Sequence, residues 1–199
     1  PGDWSFTVAT QTVAAGGQVV LPPGVYTVSE SGPADYTLDS ASGDCTIDQG
    51  VVQLTVPAGP GGAGVCTITN RRDTGQILFF KVVEGGSALP GEFSFDVLTH
   101  TVPHNQSVVL ETGLYTVTER GPSGYVLRSA NGACELVNGA LQLMVTKSGG
   151  VCTVHNTWPV TFIKVVEGGD AQPADWSFTV AGQTISHTAS LLLAPGSHP

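Results

Sequence analysis

The chain has 199 residues, a formal charge of −9 and only 12% charged residues, so it lacks the Lys/Arg surplus that a phosphate-binding face needs. That balance argues against nucleic acid and anionic membrane surfaces as partners, and no run approaches the roughly 20 apolar residues of a membrane span. The 26 glycines and 13 prolines announce many turns.

The chain opens on Pro1-Gly2-Asp3-Trp4 without an initiator methionine or a leader, which reads as a processed or excerpted chain. Pro1-Gly2-Asp3-Trp4-Ser5-Phe6-Thr7-Val8 returns as Pro90-Gly91-Glu92-Phe93-Ser94-Phe95-Asp96-Val97 and again as Pro173-Ala174-Asp175-Trp176-Ser177-Phe178-Thr179-Val180. The spacing marks a repeat of about 85 residues. Trp4, Phe93 and Trp176 share one place in it and read as core positions. Next comes Gly24-Val25-Tyr26-Thr27-Val28-Ser29-Glu30, matched by Gly113-Leu114-Tyr115-Thr116-Val117-Thr118-Glu119. Cys45 follows the turn Ser42-Gly43-Asp44, and Cys134 follows Asn131-Gly132-Ala133. Val65-Cys66-Thr67-Ile68-Thr69-Asn70 is matched by Val151-Cys152-Thr153-Val154-His155-Asn156.

The remaining shared run is Ile77-Leu78-Phe79-Phe80-Lys81-Val82-Val83, which returns as Val160-Thr161-Phe162-Ile163-Lys164-Val165-Val166. Two of only three lysines sit in these apolar runs, where an ammonium is costly unless it is paired or consumed.

Short alternating runs rich in Val, Thr, Tyr and Phe, cut by Gly, Pro and Asn-Gly, predict an all-β fold, a sandwich of about seven strands per repeat, with no sustained helical period. The expected domains are residues 1–74, a repeat without its Lys strand; 77–157, a whole repeat; and 160–199, the opening of a third. The joints are short enough to predict a fairly stiff array.

Four cysteines allow three pairings. The repeat favours bridges within each repeat, Cys45–Cys66 and Cys134–Cys152, over the alternative of four reduced, buried thiols. Disulfides place the chain in an oxidising, extracellular or cell-surface compartment.

Strand alternation puts Ile77, Phe79, Lys81 and Val83 on one face, Tyr115, Val117 and Glu119 on one face, and Cys152, Val154 and Asn156 on one face. Three polar groups thus lie on apolar faces. A buried lysine tends toward the neutral, nucleophilic amine, and a buried carboxyl can stay protonated and polarise a carboxamide. If the three meet, the amine can attack the amide carbon and expel ammonia, leaving a Lys–Asn isopeptide bond. The alternative is a buried hydrogen-bonded network without a covalent bond.

These motifs resemble a known family. Lys81-Val82-Val83-Glu84-Gly85-Gly86-Ser87-Ala88-Leu89-Pro90-Gly91-Glu92-Phe93 looks like the opening of the collagen-adhesin B-type (Cna-B) and SpaA-like repeats of bacterial adhesins and pilins. Gly113-x-Tyr115-x-Val117-x-Glu119-x-x-Pro122-x-Gly124-Tyr125 looks like their Glu strand, and the strand ending at Asn156-Thr157 looks like their last. The resemblance implies tandem Ig-like, prealbumin-like β-sandwich domains, with Lys81 bonded to Asn156 and Glu119 as the catalytic carboxyl, Glu30 being its equivalent in the first repeat. The chain departs from the pattern in its cysteines and shows no sortase-type Leu-Pro-x-Thr-Gly signal.

Glu30 and Asn70 have no lysine in their own repeat, and Lys164 has neither Glu nor Asn in its own. The simple reading is a stretch of a longer array. The sharper one is head-to-tail assembly of identical subunits, with Lys164 and Asn70 as an inter-repeat or intermolecular crosslink. The expected function is a structural subunit or stalk segment of an extracellular surface fibre, not an enzyme beyond a single self-crosslinking turnover. The alternative is a ligand-binding adhesin module. No metal site or cofactor is called for: His100 and His104 lack a carboxylate pair beside them. Asn105-Gln106-Ser107 is a glycosylation sequon that matters only in a host that uses it.

Overall fold

The computed structural model describes residues 2–59 and 64–193; Pro1 and residues 194–199, the extremities of the first and third expected segments, lie outside the described residues. The chain divides into two compact units, Pro1–Asp73 and Thr74–Pro199. The second unit thus begins at Thr74, three residues before the expected Ile77, and includes the third segment.

The first unit contains β1 (Ser5–Val8), β2 (Gln11–Ala14), β3 (Gly24–Ser31), β4 (Tyr36–Gly43), β5 (Cys45–Asp48), β6 (Val51–Val56) and β7 (Cys66–Arg72). They form a five-stranded sheet in the order β2-β1-β3-β6-β5 and a two-stranded sheet β4-β7. Burial follows the two-residue period of a strand with one wet face: in β3, Val28 is buried while Thr27 and Ser29 are exposed. The buried core is small, made of Val8, Val28, Cys45 and Val52, with Phe6, Leu54, Cys66 and Ile68 half-buried around it.

The second unit holds β8 (Thr74–Glu84), β9 (Ser94–Val97), β10 (His100–Pro103), β11 (Gln106–Glu111), β12 (Gly113–Arg120), β13 (Val126–Gly132), β14 (Cys134–Val137), β15 (Ala140–Val145) and β16 (Gly150–Thr157). These nine strands make a sandwich of two sheets, β10-β9-β12-β15-β14 and β11-β8-β16-β13. The sequence suggested about seven; the two-residue turns at Leu98-Thr99 and Asn138-Gly139 split what read as longer segments into hairpins. At Asn138-Gly139, φ values of 50° and 81° link Val137 to its partner Ala140, the left-handed turn that suits Asn-Gly.

Between the sheets lies a continuous core that includes Ile77, Phe79, Phe95, Leu143, Cys152 and Val154, with Phe79 stacked on Phe95 at 4.9 Å. β8 and β16, far apart in sequence, run parallel side by side, with Phe79 opposite Cys152, Lys81 opposite Val154 and Val83 opposite Asn156.

Beyond β16 come β17 (Pro159–Thr161), β18 (Ser177–Val180), β19 (Gln183–Ser186) and β20 (Ser190–Leu192). β17 pairs with β20 and β18 with β19, each as a two-stranded ladder. The run Phe162–Val166, read from sequence as a strand, is not one: only Pro159–Thr161 finds a ladder, three residues long. Strand structure needs a neighbour, and local propensity does not supply it. Trp176, read as a core residue, is 47% exposed, whereas Phe93 at the corresponding place is 2% exposed. Phe93 is covered by Gly121, whose missing side chain makes room for the ring, and by the edge of Tyr125.

Candidate functional site

Lys81 is fully buried at the centre of β8. Its alternating neighbours Ile77 and Phe79 face the same core, so the side chain enters the sandwich. Glu119 enters from the opposite sheet, on β12, in register with Phe95 of β9. Asn156 enters from β16, two residues past Val154, which places it diagonally beside Lys81 on the same face.

Glu119 joins the other two. Its Oε1 lies 2.6 Å from Lys81 Nζ, and its Oε2 accepts a hydrogen bond of 2.8 Å from Asn156 Nδ2. Asn156 Oδ1 is buried without a hydrogen-bond partner among the described residues. Burial pushes the Lys81 ammonium below its ordinary value of 10.5, against the hydrogen bond and the charge of Glu119, which act to raise it. A buried ion pair of this kind is held together by its partners; removing one leaves an uncompensated charge.

Aromatic rings close the end of the sandwich over this group. Lys81 Nζ sits 4.8 Å from the centre of the Phe93 ring. Phe93 meets Tyr125 edge-on at 5.6 Å, and Tyr125 meets Trp158 at 4.9 Å. The Tyr125 hydroxyl accepts the Ala88 N–H at 2.7 Å, tying down the loop that leaves β8.

His104 plays a part that sequence reading missed. Its Nδ1 accepts the Lys81 backbone N–H at 2.9 Å, fixing the strand where the lysine leaves it. His187 Nδ1 does the same for Lys164 at 3.0 Å. Both histidines stand 23 residues after their lysine, a recurrence that the sequence displays.

Both disulfides are formed, Cys45–Cys66 and Cys134–Cys152. Each one crosses between the sheets, from β14 to β16 in the second unit and from β5 to β7 in the first. Cys152 shares its face with Val154 and Asn156, so the bridge anchors the Asn156 strand to the sheet that carries Glu119.

In the first unit the corresponding pair is Glu30 and Asn70, with Asn70 Nδ2 donating to Glu30 Oε1 at 3.1 Å. No lysine lies within that unit. Lys164 is not brought to a carboxylate among the described residues; its Nζ lies 4.4 Å from the centre of the Trp176 ring. The structure therefore joins Lys81, Glu119 and Asn156, and separately Glu30 and Asn70.

Residues 1–68 match the family model of the SpaA type described as a prealbumin-like fold domain. The match lies within the first unit, which is similar to that domain over nearly its whole length. SpaA-like domains belong to pilins and surface proteins and are typically structural modules without enzymatic activity. That family and the two disulfides point to an extracellular protein, and among the described residues no helix is long and apolar enough to cross a membrane. No curated protein matches the sequence.

Chemically, the second site offers an amine, a carboxamide and a carboxyl that touches both. Glu119 Oε1 lies within proton-transfer distance of Lys81 Nζ, while Oε2 accepts from Asn156 Nδ2.

Proposed function

We propose that the chain is a structural segment of an extracellular bacterial surface fibre, built from tandem β-sandwich domains that crosslink themselves. The observation that carries this reading is the Glu119 bridge between Lys81 Nζ and Asn156 Nδ2, inside the sandwich and between its first and last strands. Lys81 transfers a proton to Glu119, and the neutral amine attacks the Asn156 carboxamide carbon. The new Nζ–C bond forms as the C–Nδ2 bond breaks, Glu119 returns the proton to the departing nitrogen and takes up the second Nζ proton, and the ammonia leaves with that proton as ammonium. The reaction runs once in each site and its product is a fastening.

The topology supports a mechanical purpose. Pull applied at Thr74 and Thr157 loads β8 and β16, which lie side by side and parallel, so they would slide past each other in shear. A bond from Lys81 to Asn156 ties those two strands, and tension then passes from one to the other through covalent linkage. The Cys134–Cys152 bridge holds β16 to the opposite sheet beside that point.

Intact mass of the denatured, reduced chain tests the reading. One internal bond lowers the mass by about 17 Da, the ammonia expelled by amine attack, and Asn156→Ala restores the mass of its sequence. A wild-type chain at the full mass of its sequence overturns the crosslink.

A further inference from the structure

We propose that His104 is a positioning residue for the crosslink: its imidazole stands in for a strand beside the Lys81 backbone and so sets where the amine lies when it attacks. The inference rests on the reading of the Lys81 site just given and concerns a residue that touches neither reacting atom.

β8 outruns the strand that pairs with it on one side. The β11 ladder ends with Gln106 opposite Phe79, and the Asn105 N–H donates to the Phe79 carbonyl at 2.8 Å just beyond. On a strand every second residue turns its N–H to the same edge, so the next donor on that edge is the Lys81 N–H. β11 offers it no carbonyl, because the chain enters β11 through a turn at His104 and Asn105, coming from β10 of the opposite sheet. A ring nitrogen serves instead: His104 Nδ1 accepts the Lys81 N–H at 2.9 Å. A nitrogen that accepts carries no hydrogen, so the neutral ring bears its proton on Nε2.

His104 is itself held on two sides. Its N–H donates to the Phe93 carbonyl at 3.3 Å, and Phe93 is the residue whose ring lies 4.8 Å from Lys81 Nζ. Its imidazole rests against Phe80 at 5.0 Å, tilted by 55°. One residue therefore ties the backbone from which the lysine side chain starts to the backbone of the ring beside which its ammonium ends. Both ends of the side chain are fixed relative to Glu119, whose Oε1 is 2.6 Å from Nζ. Attack on a carboxamide is steeply sensitive to such placement: a displacement of about 1 Å costs about a hundredfold in rate.

The contact recurs with the other lysine of this kind. His187 Nδ1 accepts the Lys164 N–H at 3.0 Å, again 23 residues on, and Thr188 N–H bonds to Phe162 as Asn105 N–H bonds to Phe79. Lys164 lies outside any strand, so the histidine contact forms without a ladder around it.

The test follows ammonia loss by intact mass while whole, unfolded chains refold with their disulfides re-formed, under conditions where circular dichroism shows every variant fully folded. His104→Asn and His104→Gln single out the atom that matters. The Asn oxygen, like Nδ1, is carried on Cγ, whereas Gln sets its oxygen one atom farther out, near the place of Nε2. His104→Asn is expected to react near the wild-type rate, and His104→Gln and His104→Leu about 10- to 100-fold more slowly. In the unreacted Asn156→Ala chain, nitrogen NMR of labelled histidine should show His104 Nδ1 unprotonated and coupled to the Lys81 amide, a readout that stands even where His104→Leu fails to fold. A cap that only stabilises would lower the unfolding midpoint of His104→Leu and leave the rate of the folded chain unchanged, and that result overturns the proposal. So does His104→Gln reacting as fast as wild type, His104→Asn reacting as slowly as His104→Leu, or a ring protonated on Nδ1. A wild-type chain that loses no ammonia removes the reaction itself and this role with it; equal loss in wild type and His104→Leu removes the positioning role alone.

Discussion

In the unbonded Asn156→Ala background, replacing Glu119 by Ala removes the partner of a fully buried ammonium. Lys81 is left without a counter-charge in the core, a loss of about 3–5 kcal/mol for a broken buried pair. For a domain of this size, each kcal/mol shifts the unfolding midpoint by about 4–8 °C, so the second unit's transition falls by roughly 12–40 °C. Differential scanning calorimetry of the full chain reads this directly, with the first unit as an internal reference. Glu119→Ala alone keeps the mass of its sequence, because the proton carrier between amine and carboxamide is gone. A companion variant separates charge burial from general damage: Lys81→Met with Glu119→Leu removes both charges and fills the space. In the same background it recovers about 1–4 kcal/mol relative to Glu119→Ala, since a buried pair is often replaced by apolar groups at little cost. If Glu119→Ala/Asn156→Ala unfolds at the Asn156→Ala midpoint, or removing both charges is no better than removing one, the buried-pair reasoning is wrong.

The lowered Lys81 value gives a pH dependence with a definite sign. In the unbonded variant Asn156→Ala, the unfolded lysine binds protons over a window below 10.5 where the folded one does not, so stability rises with pH across that window. The deficit is complete below the folded value and vanishes above 10.5. The midpoint of Asn156→Ala should rise as the pH climbs toward 10.5 relative to Lys81→Met/Asn156→Ala, and wild-type ammonia release should speed up in the same direction; a flat difference refutes the assignment. Cys134→Ser/Cys152→Ser opens a bridge spanning 18 residues, a loss of about 3 kcal/mol by loop entropy, measurable as a lower denaturant midpoint of the second unit; an unchanged midpoint contradicts it.

Much of the site is legible in strand alternation. The two-residue period puts Lys81, Glu119 and Asn156 on the inward faces of their strands, because the apolar neighbours at i±2 announce which face is dry. The disulfide partners are readable from the repeat. Their effect is not: the short separation of Cys134 and Cys152 suggests a closed hairpin, whereas the bridge joins two sheets. His104 was visible as a residue, but its role depends on a fold-back that sets its ring against the Lys81 N–H.

What the sequence determined by itself was local: which residues alternate, where turns fall, which faces are apolar and where the pattern recurs. Tertiary structure alone decided adjacency. It set β8 beside β16, brought Glu119 across from the other sheet, and left Phe162–Val166 outside any strand although its composition matches β8. The physical reason is that side-chain period is a property of one strand, while a ladder is made by two. Similar apolar runs therefore become a core strand in one place and a run outside any strand in another, according to what lies beside them.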